Sequence, residues 1–176
     1  EGLFQVQDES SMLVARILDP KPGELVMDVC SAPGGKATHI AQMMENKGVV
    51  VARDIHPHKI NIIDTAAERL GSHIVTPELF DAVQVDEKYI EKADRVLVDA
   101  PCTGLGILRR KPDIKWARNI EDRKEITSLQ NKILSAASKY VKPGGVLVYS
   151  TCTIESEENE DIVKGFLQSD KKFSMA

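Results

Sequence analysis

Two of the three cysteines follow apolar runs typical of buried strands. Cys102 comes shortly after the run 95–98, and Cys152 comes shortly after the run 146–149. Because the carboxyl ends of parallel strands meet at one edge of an open α/β sheet, where ligands bind, we expect both thiols to flank one cleft. A lone cysteine at a strand end is more often a small buried apolar residue than a nucleophile. Two such thiols, one preceded by the carboxylate of Asp99, favour a catalytic pair instead.

Paired thiols beside a carboxylate suit methylation of a pyrimidine at C5. This carbon is a poor nucleophile, and a thiolate that adds at C6 converts the ring into an enamine that can attack an electrophilic methyl group. A carboxyl group near N3 makes C6 easier to attack, and Asp99 is the candidate for that role. Afterwards the C5 proton must leave and the thiol must be eliminated, which a second polar group can assist. The chemistry leaves open whether Cys102 or Cys152 attacks.

The segment 28–36, Asp-Val-Cys-Ser-Ala-Pro-Gly-Gly-Lys, joins the first predicted strand to a helix. Its two glycines stand where a backbone must approach a ligand closely. A phosphate-binding loop is disfavoured because its upstream glycine is missing and Ala37 replaces the required Ser or Thr, and the GxGxxG dinucleotide spacing is absent. Asp54 ends the second predicted strand, about 20 residues beyond Gly35, where a carboxylate can accept both ribose hydroxyls. A nucleoside cofactor without a pyrophosphate fits best, and S-adenosylmethionine is the candidate.

Other polar residues have supporting roles in this interpretation. We hypothesise that Lys36 holds Asp99 or a cysteine in the required charge state, since a nearby ammonium lowers the pKa of a thiol. Cys30 has no acid or base partner nearby and is expected to pack beneath the cofactor loop. The acidic run 155–161 is interpreted as carboxylates that complement a helix dipole, with Asn159 orienting the loop of the second thiol.

Alternation of apolar runs with amphipathic stretches predicts a doubly wound, mostly parallel α/β sheet. The predicted strands cover 25–30, 49–55, 74–75, 95–99 and 146–150, and the predicted helices cover 9–18, 36–45, 58–70, 120–141 and 157–167. The chain is expected to form one domain over 1–176, in which 1–24 are a lead-in helix and linker and 25–176 are the core.

Bulk composition narrows the classes of protein further. The 176 residues, 42% of them hydrophobic, suffice for one core. With no apolar run of about 20 residues and no leader pattern, we expect a soluble cytoplasmic protein, monomeric and a piece of a longer chain. Three cysteines without CxxC or Cys/His clusters disfavour disulfides and metal. The net charge of −4 argues mildly against nucleic-acid binding, yet the basic stretch 109–118 with Trp116 suits an RNA backbone and a stacked base as well as a solvated loop.

The motifs together resemble those of the Sun/Nop-type RNA cytosine-C5 methyltransferases, most closely the bacterial enzymes that act on small-subunit (16S) ribosomal RNA. The resemblance is carried, in family order, by the segments 7–11, 28–36, 99–106 with 109–116, and 150–153 with 157–160. It implies a Rossmann-like S-adenosylmethionine-dependent methyltransferase fold, RNA as the partner, and a target base that is flipped out or single-stranded.

The same resemblance assigns roles to individual residues. It implies that Cys152 is the nucleophile and that Cys102 assists product release, with Asp99 and Lys36 completing the catalytic set. The cofactor contacts that it implies are Cys30, Ser31, Ala32, Pro33, Gly34, Gly35, Lys36, Asp54, Asp81 and Asp99, with Asp81 placed as the third-strand acid.

Two departures from the family pattern and two alternatives accompany this prediction. Family members carry a preceding RNA-binding region and a final antiparallel hairpin, which this chain lacks, so an unpaired sheet edge and weak RNA methylation are expected. A catalytically idle relative that binds RNA or S-adenosylmethionine as an assembly factor is one alternative. A NAD-dependent oxidoreductase is the other, disfavoured by the missing glycine spacing.

Overall fold

A computed structural model describes residues 2–108 and 120–176, with side chains for 2–108 and 123–176. Its strands are β1 (Leu25–Asp28), β2 (Val49–Asp54), β3 (Val75–Leu79), β4 (Ala93–Asp99) and β5 (Val141–Ser150), and its helices are α1 (Glu9–Leu18), α2 (Gly35–Met43), α3 (Pro57–Leu70), α4 (Ile120–Ser138) and α5 (Glu160–Ser169). Short 3-10 turns cover Glu87–Tyr89, Leu105–Ile107 and Ser156–Glu158. The strands form one parallel sheet in the order β3-β2-β1-β4-β5, which confirms the predicted fold class.

Each face of the sheet is covered by a helical layer, so the central strands are apolar on both faces. On β1, Val26 packs toward α1, α2 and α3, whereas the next residue, Met27, packs toward α4 and α5. Successive strand side chains point to opposite faces, and strands buried on both sides are therefore nearly continuous hydrophobic runs. Burying one such Leu, Ile or Met side chain contributes about 1.5–3 kcal/mol. The two cores hold the sheet rigid beneath the ends of its strands.

Several element boundaries differ from the prediction. β1 ends at Asp28 because the chain then turns toward β2. There the N–H of Ser31 donates to the carbonyl of Arg53 at 2.7 Å. β3 extends through Pro77, which is tolerated because this strand lies at the sheet edge and pairs, in the described residues, only with β2. The predicted start of the last helix near 157 is wrong: a 3-10 turn precedes α5, and Asn159 between them has non-helical angles (φ −120°, ψ −96°).

A buried arginine that the sequence analysis missed fixes the segment after β3. The Arg53 guanidinium, 1% exposed, pairs with Glu78 at 2.7 Å and with Asp86 at 2.6 Å. The ring of Phe80 lies 4.2 Å from the guanidinium carbon, close enough for a cation–π contact. Arg53 thereby ties β2 to the segment 78–86, which carries the predicted cofactor residue Asp81.

The remaining expectations concern the β5 edge of the sheet, membrane-spanning helices and the basic stretch. In the described residues β5 pairs only with β4 and no antiparallel strand joins the sheet, so the family's hairpin stays a matter of prediction. Within the same part of the chain, no helix combines the length and the apolar character that crossing a membrane requires. The basic stretch 109–118, with Trp116, lies outside the described residues.

Candidate active site

A cavity of about 400 Å³ opens at the carboxyl ends of the strands, where the strand order reverses at β1 and β4. Its volume lies within the range usual for small-molecule sites, and its position is where open α/β sheets bind ligands. The cavity brings together seven of the predicted site residues, namely Cys30, Ala32, Asp54, Asp81, Asp99, Cys102 and Cys152. The topology therefore gathers residues from the ends of all five strands around one space.

Gly34 of the cofactor loop also has a packing role. Gly34 adopts φ 96°, and a Cβ there would lie 3.2 Å from Cα of Ile63 on α3. Glycine is therefore required for the left-handed turn and for close packing of α2 against α3. Ser31, Pro33, Gly34 and Gly35 do not line the cavity, so from 30–35 only Cys30 and Ala32 lie on its wall.

Asp54 and Asp81 provide carboxylates on the wall of the cavity. Asp54 is 8% exposed, accepts a hydrogen bond from the N–H of His56 at 3.0 Å, and lies 3.5 Å from the Lys59 ammonium. Asp81 accepts a hydrogen bond from the N–H of Val83 at 3.1 Å, which orients its side chain.

The opposite side of the same cavity is apolar. Leu129 and Ile133 of α4 lie on this wall. A carboxylate at the end of β2 together with an apolar wall fits a nucleoside such as that of S-adenosylmethionine.

The two predicted catalytic thiols are in direct contact. The Sγ atoms of Cys102 and Cys152 lie 3.1 Å apart, and the N–H of Cys152 donates to the Cys102 sulfur at 3.3 Å. The hydrogen bond from the Cys102 thiol lowers the pKa of Cys152 to about 7, although partial burial and the charge of Asp99 oppose this. The pKa of Cys102 is raised, chiefly because its proton is held in that bond. Burial raises the pKa of Cys30 strongly, so this thiol stays protonated. The opposite shifts favour the thiolate form of Cys152 over that of Cys102.

Lys36 and Asp99 form an ion pair next to the thiols. The Lys36 ammonium lies 2.6 Å from Oδ2 of Asp99, and the Ser150 hydroxyl donates to Oδ1 at 2.8 Å. The second contact follows from strand register, because Asp99 of β4 is aligned with Ser150 of β5. Of the two partners suggested for Lys36, the structure places Asp99 in contact, while the Lys36 charge also contributes to lowering the pKa of Cys152.

Beneath the ion pair lies a buried acid that the sequence analysis named only as part of the loop. Asp28 is 1% exposed, and its carboxyl oxygens have no hydrogen-bond partner within the described residues. Burial, and then the neighbouring charge of Asp99, raise the pKa of Asp28 to about 7. A carboxyl group in such surroundings is largely neutral below that pH.

The acidic run 155–161 divides between two environments. Glu160 and Asp161 lie in the first turn of α5, as the helix-dipole interpretation expects, whereas Glu158 has another role. Glu158 is completely buried, and its carboxylate accepts hydrogen bonds from Thr103 and Gln130. Helical spacing did not indicate this burial, because Glu158 lies in the 3-10 turn before α5 and not in the helix. The sequence analysis did not anticipate that the charged side chain of Glu158 is buried.

Asn159 contacts the loop of the second thiol, as hypothesised. Its Oδ1 accepts the Thr151 hydroxyl at 2.6 Å, and its Nδ2 donates to the Thr153 carbonyl at 3.2 Å and to the Glu155 carbonyl at 2.8 Å. These bonds span Cys152 on both sides, and they explain why the helix cannot begin before Asn159.

A parallel sheet in this strand order, with a nucleoside-sized cavity at its switch point and an acid at the end of β2, defines a Rossmann-like S-adenosylmethionine-dependent methyltransferase. The family model described as "16S rRNA methyltransferase RsmB/F" matches residues 15–176. The chain belongs to this RsmB/F family.

Individual relatives agree with this assignment. A probable ribosomal RNA small subunit methyltransferase B of Bacillus subtilis is 49% identical over 173 residues, which are 98% of this chain and 39% of the relative. A tRNA (cytosine(49)-C(5))-methyltransferase of Pyrococcus abyssi is 41% identical over 169 residues, 95% of this chain and 53% of the relative. The solved structure of NSun6 from Pyrococcus horikoshii with SFG superposes with a TM-score of 0.88 at 39% identity, covering 96% of this chain and 43% of that one. This chain thus spans about two fifths to one half of these relatives.

Proposed function

We propose that this chain carries the catalytic centre of an RNA cytosine-C5 methyltransferase that acts through a covalent cysteine adduct, with small-subunit ribosomal RNA as its substrate. The observation that carries the proposal is the contact between two thiols, 3.1 Å apart, beside the Lys36–Asp99 ion pair and at the edge of the cavity. A cofactor-binding module alone requires neither the second thiol nor the ion pair. The names of the relatives support RNA cytosine as the substrate class.

Cys152 is the nucleophile in this proposal. Its thiolate is the better populated of the two because the pKa of Cys152 is lowered and that of Cys102 is raised. Addition of Sγ to C6 of cytosine forms the carbon–sulfur bond and moves the electron pair of the C5–C6 bond toward N3 and C5. S-adenosylmethionine, when bound, supplies the electrophilic methyl group that C5 requires.

Asp99 contacts the target base in this proposal, and Lys36 keeps it supplied with a proton. Asp99 accepts hydrogen bonds from Lys36 and Ser150, and the Lys36 ammonium is in direct contact with it. Asp99 passes a proton of the Lys36 ammonium to N3, so that the negative charge of the attacking thiolate ends on the pair, as the Asp99 carboxylate beside a neutral Lys36. A neutralised N3 makes C6 more electrophilic and favours attack by the thiolate.

Cys102 assists the last stage, in which the C5 proton leaves and the bond between Cys152 and C6 breaks. Because the two sulfurs touch, the proton of Cys102 can pass to the departing Cys152 sulfur without a rearrangement of the loops. The Cys102 thiolate that remains takes up the C5 proton, whose bonding electrons restore the C5–C6 double bond, and the N3 proton returns to Lys36. Asp54 and Asp81 hold the nucleoside part of the cofactor, while Cys30 and Ala32 line the space around it.

Covalent trapping tests this proposal. The chain is incubated with S-adenosylmethionine and an RNA that carries 5-fluorocytosine, because fluorine at C5 blocks elimination and the adduct accumulates. We expect a denaturant-resistant adduct in the parent and in Cys102→Ala, and none in Cys152→Ala. An adduct that persists in Cys152→Ala and disappears in Cys102→Ala reverses the two roles. Absence of any adduct while S-adenosylmethionine still binds contradicts catalysis by this chain and favours the assembly-factor alternative.

A further inference from the structure

We propose that Glu158 is a positioning residue that, together with Gln130 and Thr103, holds the loop of Cys102 against the loop of Cys152. The inference rests on the proposed function for its catalytic consequence, but its geometric content is independent of that function. Glu158 lies in the 3-10 turn before α5, Gln130 on α4 and Thr103 directly after Cys102. We call these three side chains the thiol clamp.

The thiol clamp is built from completely buried polar groups. Glu158 and Gln130 are 0% exposed and Thr103 is 2% exposed. Oε2 of Glu158 accepts the N–H of Thr103 at 2.9 Å and Nε2 of Gln130 at 3.0 Å, while Oε1 accepts the Thr103 hydroxyl at 2.5 Å. Buried charged groups are tolerated only when such bonds satisfy them. The carboxylate of Glu158 is therefore fixed by three donors that leave it little freedom.

The contacts of the clamp surround Cys102 on both sides along the chain. Nε2 of Gln130 also donates to the carbonyl of Pro101 at 2.9 Å, and Thr103 is held by Glu158. The residues immediately before and after Cys102 are thus anchored to α4 and to the turn before α5. Cys102 itself takes no part in these bonds, which leaves its thiol to contact Cys152.

The clamp also reaches the second thiol loop. The hydroxyl oxygens of Thr103 and Thr153 lie 3.0 Å apart, so the residues that follow Cys102 and Cys152 are joined by a hydrogen bond. The phenol of Tyr149, at the end of β5, donates to the carbonyl of Glu158 at 2.8 Å. Glu158 therefore connects the ends of β4 and β5 through its side chain and its backbone, respectively. Loss of its carboxylate therefore releases Thr103 and Gln130 while the backbone contact with Tyr149 remains, so the link between the two loops is broken on the Cys102 side.

The chain offers a graded set of variants to test this role. Glu158→Ala removes the anchor. Glu158→Gln is the conservative variant, because its amide oxygen can accept from Thr103 N–H and Gln130 while its NH₂ donates to the Thr103 hydroxyl, which then turns toward Thr153. Thr103→Val removes the hydroxyl, and with it the links to Oε1 of Glu158 and to Thr153, while it preserves the shape and the N–H that Glu158 accepts. Glu157→Ala, at an exposed neighbouring acid, is the matched control.

The first readout is the rate at which diamide oxidises the pair in the chain without RNA. Cys102 and Cys152 each lose a proton and an electron, a sulfur–sulfur bond forms, and the azo bond of diamide is reduced to the hydrazine by the two protons and two electrons. Thiols held in contact react with a high effective concentration, which loosened loops reduce. We expect parent, Glu157→Ala and Glu158→Gln to react within about threefold of one another, and Glu158→Ala and Thr103→Val to react about tenfold more slowly.

The second readout is the pH midpoint for alkylation of Cys152, which a merely structural role would not move in a chain that remains folded. Loss of the contact with Cys102 should raise that midpoint in Glu158→Ala, and Glu158→Gln should restore it. Equal cross-linking rates and equal midpoints in parent and Thr103→Val, or in parent and a folded Glu158→Ala, would overturn the proposal. Thr103→Val carries the test if Glu158→Ala does not fold.

Trapping on 5-fluorocytosine RNA then separates the two proposals. If the clamp and the proposed function are both correct, Glu158→Ala forms adduct about tenfold more slowly than Glu157→Ala. If the proposed function is wrong, no variant or parent forms adduct, yet the cross-linking rates still distinguish Glu158→Ala from parent. If the clamp proposal is wrong, Glu158→Ala and Thr103→Val form the adduct and the disulfide at parental rates.

Discussion

Removal of the Cys102 thiol should make Cys152 a much weaker nucleophile at neutral pH, even in the absence of RNA. The hydrogen bond from Cys102, across a sulfur–sulfur distance of 3.1 Å, is the largest contribution that lowers the pKa of Cys152 to about 7. Partial burial and the charge of Asp99 act in the opposite direction, so without that bond the pKa should rise. Cys102→Ala removes the donor, whereas Cys102→Ser keeps a hydroxyl that can replace it.

The magnitude follows from the separation between the ordinary thiol pKa of 9.0 and the value of about 7 for Cys152. At pH 7 a thiol with a pKa near 7 is about half thiolate, and one near 9 is about one hundredth thiolate. Cys152 is exposed, and solvent screening reduces the effect of one neighbour. We therefore expect Cys102→Ala to lower the alkylation rate of Cys152 at pH 7 by about tenfold and to raise the pH midpoint by about one unit.

The assay is the initial rate of iodoacetamide labelling at each cysteine as a function of pH, quantified by peptide mass spectrometry. Cys30 provides an internal reference, because its raised pKa and its burial keep it unreactive across the range. Cys102→Ser should recover most of the parental midpoint. An identical midpoint in parent and Cys102→Ala would refute the reasoning, because the lowered pKa would then owe nothing to the thiol contact.

Two further predictions concern Asp54 on the wall of the cavity and the buried acid Asp28. Asp54→Asn should weaken S-adenosylmethionine binding by about 10- to 100-fold in calorimetry, because a charge-assisted hydrogen bond contributes about that much. The control, Asp64→Asn on the exposed side of α3, should leave the affinity unchanged. Equal affinities in Asp54→Asn and parent would contradict the assigned role of Asp54. The folded pKa of Asp28 lies above its ordinary 3.8, so the folded chain binds the extra proton between pH 3.8 and about 7 and loses stability as pH rises through that window. Asp28→Asn should remove this loss, which amounts to up to about 4 kcal/mol. The check is the free energy of unfolding in urea, measured near pH 4.5 and near pH 8. The same pH dependence in Asp28→Asn and parent would count against the prediction.

Local pattern sufficed for the fold and for the gathering of the two thiols. The bounds of α1 at Glu9–Leu18 agree with the prediction because two prolines follow its apolar spacing closely. Asp99 and Ser150 both end apolar runs, and the parallel register makes them neighbours, as the rule for strand ends anticipates. Features that depend on periodicity and on strand direction can therefore be predicted from the sequence.

Buried polar residues could not be predicted in the same way, because their partners are distant in the chain. Glu158 and Thr103 are separated by 55 residues, and Arg53 and Asp86 by 33. Nothing near a charged residue in sequence distinguishes a solvated carboxylate from one that three buried donors will satisfy. The contact of Gly34 with α3 was not anticipated for a related reason, since Ile63 lies 29 residues further along the chain.

The thiol contact is a tertiary property of two loops, and strand pairing alone does not produce it. β4 and β5 are in register up to Asp99 and Ser150. Beyond that point the loop that follows each strand leaves the sheet. Besides the clamp, the N–H of Gly106 donates to the carbonyl of Cys152 at 3.0 Å, and a Cβ at Gly106 would lie 2.8 Å from that oxygen. The loop after β4 must therefore lie directly on the loop after β5 for the sulfurs to touch. Because the sulfur contact tunes the pKa of Cys152, nucleophile reactivity depends on contacts between these loops that lie outside the cofactor cavity.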